Sequence, residues 1–286
     1  MVCLLEWANA YLDVCKQKFI HNTYQEKVKA FRLLFRSVPP ETTVTTLMRG
    51  QVLAHFTELV KGGRSGNAVN QDMKNLIAAW NWARRYMEGF PAGENPFFVE
   101  RFPETRCPRY VPPLSDFWLV LDQAESEQDR ALLLSYLYLA ARRTELFRLR
   151  VDDVDLSRRR LRLGTKKRAG GALEYNWLPV ADPLLPELSG QLEKVTGPWV
   201  FPNPRTGNAY FERAPWMPRL CALAGVKPFG LHAIRHLTAS ILAEQGVPLV
   251  QIQQILRHKR LTTTERYIRS LGDCREAVAV IPRPPA

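Results

Sequence analysis

The chain has 286 residues, a formal net charge of +12 and a sequence pI of about 9.7. That length is enough for two domains whose cores need no disulfide or metal staple, and so large an excess of positive charge points to a polyanionic partner, nucleic acid or an acidic membrane surface. No apolar run approaches the roughly eighteen residues of a spanning helix, no cleavable leader opens the chain, and the scattered Cys3, Cys15, Cys107, Cys221 and Cys274 form no C-x-x-C pair, so the expectation is a soluble, cytoplasmic protein without membrane partner, disulfide framework or zinc site.

In chain order, the first hundred residues read as helices. Leu4, Leu5, Trp7, Ala8, Tyr11 and Leu12 recur at helical spacing, as do Val28, Phe31, Leu34 and Phe35. Ser37-Val38-Pro39-Pro40 breaks the pattern, a further helix runs from about residue 46 to 61, and Gly62-Gly63-Arg64-Ser65-Gly66 interrupts it. A long amphipathic helix over about 67–87 carries Leu76, Trp80 and Trp82, the tryptophans read as packing groups rather than base-stacking platforms. The expected product is an all-helical domain over 1–102. Four prolines between Pro103 and Pro113 favour an extended linker over 103–113.

The remainder, 114–286, mixes types. Helices are expected near 114–124 and 128–141, then a basic strand over 159–163. A second strand over about 174–180 closes a hairpin whose turn holds Gly170-Gly171. Trp199-Val200-Phe201 reads as a short third strand. Helices follow at about 212–224, 231–245 and 249–257, then a short one holding Tyr267. Ala277–Ile281 alternates like a strand that docks on its own sheet or on a neighbour's. The fold class is α+β with a small antiparallel sheet.

Five pieces of the second part carry chemistry: Arg142 before Glu145, Lys166 on the hairpin, His232 with Arg235, His258, and Tyr267. A phosphodiester under attack gathers negative charge on its non-bridging oxygens, which guanidinium forks stabilise well. A tyrosine with a free pKa near 10 needs help to lose its proton, and the departing 5′-oxygen needs an acid such as lysine. His232 and Arg235, three apart on one helix face, can converge on one phosphate. Taken singly, each residue is more readily a packed or solvated side chain; their joint order and spacing carry the argument, with three of the five histidines lying between 232 and 258. No acidic cluster suits two-metal chemistry, so neither metal nor cofactor is expected.

His232-x-x-Arg235, then Leu256-x-His258 and Thr263-Thr264-x-x-Tyr267, resembles the second conserved box of the tyrosine recombinases, which include phage integrases and Xer-type chromosome-dimer resolvases. Ala141-Arg142-x-Thr144-Glu145-Leu146 resembles the first box, Thr165-Lys166 the hairpin lysine, and the nine residues from His258 to Tyr267 match the family spacing. Motifs cover about 112–269; Glu94-Asn95-Pro96-Phe97 resembles the end of the family's core-binding domain. The resemblance implies a helical core-binding domain joined to a catalytic domain that clamps duplex DNA. It makes Tyr267 the nucleophile of a 3′-phosphotyrosyl intermediate, Arg142 and Arg235 the phosphate clamp, Lys166 the acid, His232 and His258 assistants in proton transfer and phosphate binding, and Glu145 a buttress for Arg142. It further implies a homotetramer on two DNA sites, with host or element-encoded DNA-bending proteins as possible accessories.

Two departures stand out. Arg257 occupies the position before His258 where the family usually has glycine, and Arg143 beside Arg142 leaves the register of the first-box arginine open. The run Arg158-Arg159-Arg160-Leu161-Arg162 reads as a solvated face or as phosphate contact; with Lys167 beside it and +12 overall, DNA contact through Arg159, Arg160, Arg162 and Lys167 is the expectation. Integration or excision of a phage or mobile element is the expected role. The alternatives are Xer-like resolution of chromosome dimers, a catalytically silent DNA-binding regulator, or a topoisomerase with the same chemistry. A separate arm-site-binding domain is expected to be absent or truncated, as the chain begins almost at the first core helix.

Overall fold

Trp7, fully buried, is the centre about which the N-terminal helices assemble. Its ring meets Phe31 at 4.9 Å and Trp80 at 5.4 Å edge-on, with Phe97 at 5.7 Å, and its indole N–H donates to the Ala79 carbonyl at 3.2 Å. Trp7 lies on α1 (Leu4–Lys18), Phe31 on α2 (His21–Leu34) and Ala79 and Trp80 on α4 (Gly66–Tyr86), while Phe97 follows α4 and α3 (Arg49–Lys61) packs on α4. Aromatic pairs of this geometry add to the area they bury, and Trp80 is a packing residue here. The computed structural model describes residues 1–105, 110–166 and 173–258, and of Lys166 the backbone alone. The chain divides into two compact units, Met1–Pro108 and Arg109–Ala286.

In the first unit Asn95 is buried and acts as a staple. Its amide donates to the Ile77 carbonyl and to Asn81 Oδ1 on α4, while its Oδ1 accepts from the Phe97 N–H. Asn70 does the same for the segment beyond: it donates to the Phe102 carbonyl at 2.9 Å and accepts from the Phe102 N–H at 3.0 Å. Asn67 adds a bond to the Thr105 carbonyl. The start of the proline-rich stretch is therefore strapped across α4, and it lies so close at Gly66 that an added Cβ would sit 2.0 Å from the Pro103 oxygen.

The second unit is organised around α6 (Glu127–Leu139), which is buried nearly all round and so carries apolar residues without a polar face. Packed against or near it are α5 (Leu114–Asp122), α8 (Leu185–Lys194), α9 (Trp216–Leu223) and α10 (Leu231–Glu244), with α11 (Leu249–Leu256) on α10. A four-residue helix, α7 (Arg143–Leu146), follows α6 directly. Among the described residues the sheet has three antiparallel strands in the order β1 (Val154–Asp155), β2 (Arg160–Lys166), β3 (Leu173–Pro179). Leu161 and Leu163 face the core, while Arg160 and Arg162 alternate to the outer face, their guanidiniums over Trp177 and Tyr175 at 4.3 and 4.9 Å. Gly164 lies under the ring of its cross-strand partner Tyr175, where a Cβ would be 3.1 Å from that ring.

The third strand is β1 rather than the expected Trp199–Phe201. That segment makes one isolated bridge, Arg150 to Trp199, because Pro198 and Pro202 flank it and lack the N–H a ladder needs. Its apolar character instead reflects full burial of Val200 and Phe201. The helix expected from residue 212 starts at Trp216, behind Pro215. Helix α8 was not expected; Leu184, Leu188 and Leu192 give it an apolar stripe behind two prolines at its start. The Gly170-Gly171 turn and the Ala277–Ile281 strand lie outside the described residues. Among the described residues no helix is long and apolar enough to cross a membrane.

Candidate active site

The centre of the site is a carboxylate. Chain direction reverses after α6 at Ala140, which adopts the left-handed region (φ 44°, ψ 40°), and this turn delivers Arg142 to the start of α7 with Glu145 one turn on. Glu145 is almost fully buried and both its oxygens are used. Oε1 accepts from Arg142 Nη1 at 2.7 Å and from the Thr165 hydroxyl of β2 at 2.6 Å. Oε2 accepts from the Arg142 backbone N–H and from Arg257 Nη2, both at 2.8 Å. Burial by itself would raise the carboxyl pKa. The charge of Arg257, the two hydrogen bonds from the Arg142 backbone and Thr165, and the charge of Arg142 outweigh it and hold the group at about 2.

Arg235, on α10, is buried and spans the cluster from the other side, its Nη1 donating to the Ala140 carbonyl and its Nη2 to the Leu256 carbonyl. Helix α11 ends at Arg257, itself left-handed (φ 52°, ψ 45°), and the His258 N–H reaches back to the Gln253 carbonyl at 3.1 Å. The His258 imidazole stands in a positive field: burial first, then Arg235, Arg142, Arg257 and His232, push its pKa down to about 3. His232 lies on α10, its ring 5.0 Å from that of His236 and edge-on to it.

Arg142, Glu145, Arg235 and His258 thus meet from three helix ends and a helix face, with His232 near enough to act on His258 electrostatically. Arg143 points elsewhere, to Glu212 at 3.3 Å, so only Arg142 of the pair enters the cluster. The β2 backbone at Lys166 pairs with Leu173, one residue beyond the Thr165 that touches Glu145. Lys167 and Tyr267 lie outside the described residues. On the sheet the arginines are not gathered to the cluster: Arg159 pairs with Asp182 at 2.8 Å, Arg160 with Asp155 at 3.2 Å and Arg162 with Asp153 at 2.7 Å. Among the described residues no group of three or more His, Cys, Asp or Glu could hold a metal ion.

Two members carried no expected role, Thr165 and Arg257. Thr165 precedes the motif lysine, and strand alternation puts it on the inner face with Leu161 and Leu163. Arg257 was visible as an oddity, a long cation at a position the chain must turn.

A site of this kind can bind an anion against guanidiniums and keep a neutral imidazole beside it. Comparison with known proteins fits that geometry. Residues 116–272, more than half of the chain, match the Phage integrase family, and the protein belongs to that family. The tyrosine recombinase XerA of Pyrococcus furiosus is 28% identical over 148 residues, half of each chain. A tyrosine recombinase XerC of Mycobacterium sp. (strain KMS) is 33% identical over 148 residues, 48% of this chain and 47% of that one. The chain spans about half the length of the curated relatives it matches. In fold it resembles the Tn1549 transposon integrase in complex with transposon right end DNA (TM-score 0.74, 15% identity, 97% of this chain and 98% of that one). It also resembles a lambda integrase tetramer bound to a Holliday junction (TM-score 0.73, 16% identity, 93% and 77%). The α+β architecture, helix-rich with a three-stranded antiparallel sheet, is that of these integrases.

Proposed function

We propose that this protein is a site-specific recombinase that cuts and rejoins duplex DNA through a 3′-phosphotyrosyl intermediate. The observation that carries the reading is the convergence of Arg142, Arg235 and His258 around buried Glu145. Tyr267 Oη attacks the phosphorus, the bond from phosphorus to the 5′-oxygen breaks, and Lys166 supplies the proton that the leaving oxygen takes. Arg142 and Arg235 bind the non-bridging oxygens as charge accumulates there. His258, kept neutral first by burial and then by its cationic neighbours, accepts the tyrosine proton once the bound phosphate's negative charge offsets those neighbours, and His232 assists at the phosphate. A 5′-hydroxyl from the partner strand then reverses the step, returning the proton and releasing Tyr267. The chemistry uses the chain's own cations and needs no metal or cofactor.

On this reading residues 1–102 form a core-binding domain, 103–113 a linker and 114–286 the catalytic domain. Arg159, Arg160, Arg162 and Lys167 contact phosphates, and four copies act in the cytoplasm on two DNA sites. The two solved integrases above are DNA complexes, one of them a tetramer, which supports that assembly. The role is integration or excision of a mobile element; the Xer relatives favour chromosome-dimer resolution as the second reading. One experiment addresses both: incubate the protein with sheared DNA from its source, denature, recover DNA linked to protein and sequence it. Wild type should yield one enriched site, at an element end for the first role or a single chromosomal locus for the second. Tyr267→Phe should yield none, and adducts from that variant would overturn the assignment.

A further inference from the structure

Every terminal N–H group of Arg257 is spent inside the protein, and its one remaining donor, Nε–H, is buried away from any substrate. Its Nη1 donates to the carbonyls of Leu139 at 3.3 Å and Ile255 at 2.9 Å, and its Nη2 to the Ala140 carbonyl at 3.3 Å and Glu145 Oε2 at 2.8 Å. That uses all four terminal N–H groups of a side chain that is 5% exposed. The backbone is left-handed at this residue, a conformation disfavoured for any residue that bears a side chain. An arginine kept there at that cost, with its charge buried, must return something.

What it holds is the second oxygen of Glu145. Arginine and carboxylate prefer to pair through two parallel bonds. Arg142 does not: it gives Glu145 only Nη1 from its side chain, while its Nη2 makes a long 3.4 Å contact with the Arg257 carbonyl. The Arg142 side chain stays one-third exposed, facing outward. We infer that Arg257 is a positioning residue of this site: by sharing Glu145 Oε2 with the Arg142 backbone N–H and tying the last carbonyls of α6 and α11, it keeps the Arg142 guanidinium bonded to Glu145 through Nη1 alone and open to a phosphodiester. Without it, Arg142 closes onto both oxygens and turns its fork away from the DNA. The inference rests on the strand-cutting reading above, in which Arg142 clamps the phosphate.

The test uses Arg257→Gly, which suits the left-handed backbone, together with Arg257→Lys. On the duplex recovered by covalent capture, single-turnover adduct formation by Arg257→Gly should fall roughly tenfold to a hundredfold, the range seen when partners that orient a site's ligands are removed. DNA affinity should stay within about threefold, because the group removed meets no substrate. Arg257→Lys, which restores one bond to Glu145, should recover part of the rate. A second measurement needs no DNA: in nitrogen-15-labelled protein, rotation of the Arg142 guanidinium should slow in Arg257→Gly as the second bond to Glu145 forms. Unchanged rotation, or equal losses of rate and affinity, overturns the inference while leaving the recombinase reading intact. Absence of any adduct from wild type sinks the recombinase reading instead, and the rotation measurement still decides whether Arg257 governs Arg142.

Discussion

Arg235 is where a single side chain has the most to do. Its two Nη groups tie the turn after α6 to the end of α11, and its charge helps to hold His258 neutral. Arg235→Ala should therefore slow strand cleavage by an amount equivalent to about 3 kcal/mol, as for other preorganised charge stabilisers, with a much smaller effect on DNA affinity. Parallel measurement of adduct formation and equilibrium binding checks it; equal losses would make Arg235 a binding contact only. Titration offers a second prediction at this scale. Buried His55, whose Nδ1 lies 2.5 Å from Ser37 Oγ, has its pKa pushed down by burial to about 4 from 6.5. The unfolded chain then binds the proton that the folded chain refuses, so this stability is complete above pH 6.5 and is lost as pH falls through 4. The loss approaches about 3 kcal/mol. Thermal unfolding between pH 7 and 4.5 should show it, and His55→Asn, which keeps a polar atom toward Ser37, should flatten the profile. Glu145, held near 2, acts in the same sense at lower pH, its contribution fading between the unfolded value near 4.5 and about 2. The gathering of Arg142, Arg235 and His258 was legible only through the resemblance to the tyrosine recombinases, since helix spacing by itself places no more than His232 beside Arg235. Thr165 and Arg257 were not legible, because their parts depend on contacts between elements far apart in the chain and on a backbone angle no composition reveals.

Among the elements, the helices were legible wherever an apolar stripe met a clear stop, as at α10 and α11. Errors arose at prolines. Flanking prolines turned an apolar run at Trp199–Phe201 into a buried irregular segment, and prolines at the start of α8 masked its stripe. The strap of residues 102–105 over α4 was equally hidden, since proline content argues for an extended chain and says nothing of where that chain is pinned. Gly66 tests the strap. By helix preference alone Gly66→Ala should stabilise α4 by up to about 1 kcal/mol. The close approach of the Pro103 oxygen reverses the sign: the strap must lift, losing the paired Asn70–Phe102 bonds, at a net cost of about 1–3 kcal/mol. Denaturant unfolding gives the sign, and faster proteolysis between residues 102 and 113 would locate the damage. A more stable variant would show that the strap yields freely.

For the whole molecule, the question is how +12 is used. Arg159 and Arg160 pair with carboxylates at the surface, and exposed pairs of this kind are worth at most about 1 kcal/mol. A phosphate can replace such partners at little cost. Arg162 is different, since it is held by buried Asp153. Reversing Arg159 and Arg160 to glutamate should flatten the dependence of log affinity on log salt by roughly 0.9 per lost contact, about two units in all. Specific and random DNA should weaken alike, because phosphates carry no sequence information. An identical slope in the double variant would place the outer face of the sheet away from the DNA.

The depressed His258 has one more consequence. Burial contributes most to holding that imidazole near pKa 3, but Arg235, Arg142, Arg257 and His232 add to it, so cations crowd the centre of the second unit. In energy-landscape language the centre is locally frustrated: its cations suit an anion better than they suit one another. Thermodynamic linkage then makes the fold's own stability a function of anion supply, rising as RT ln(1 + [L]/Kd) for any multivalent oxyanion that fits. Inorganic sulfate should raise the melting temperature more than chloride at equal ionic strength, and Arg142→Ala should erase the difference. Storage buffer, on this view, is a weak substitute for the substrate.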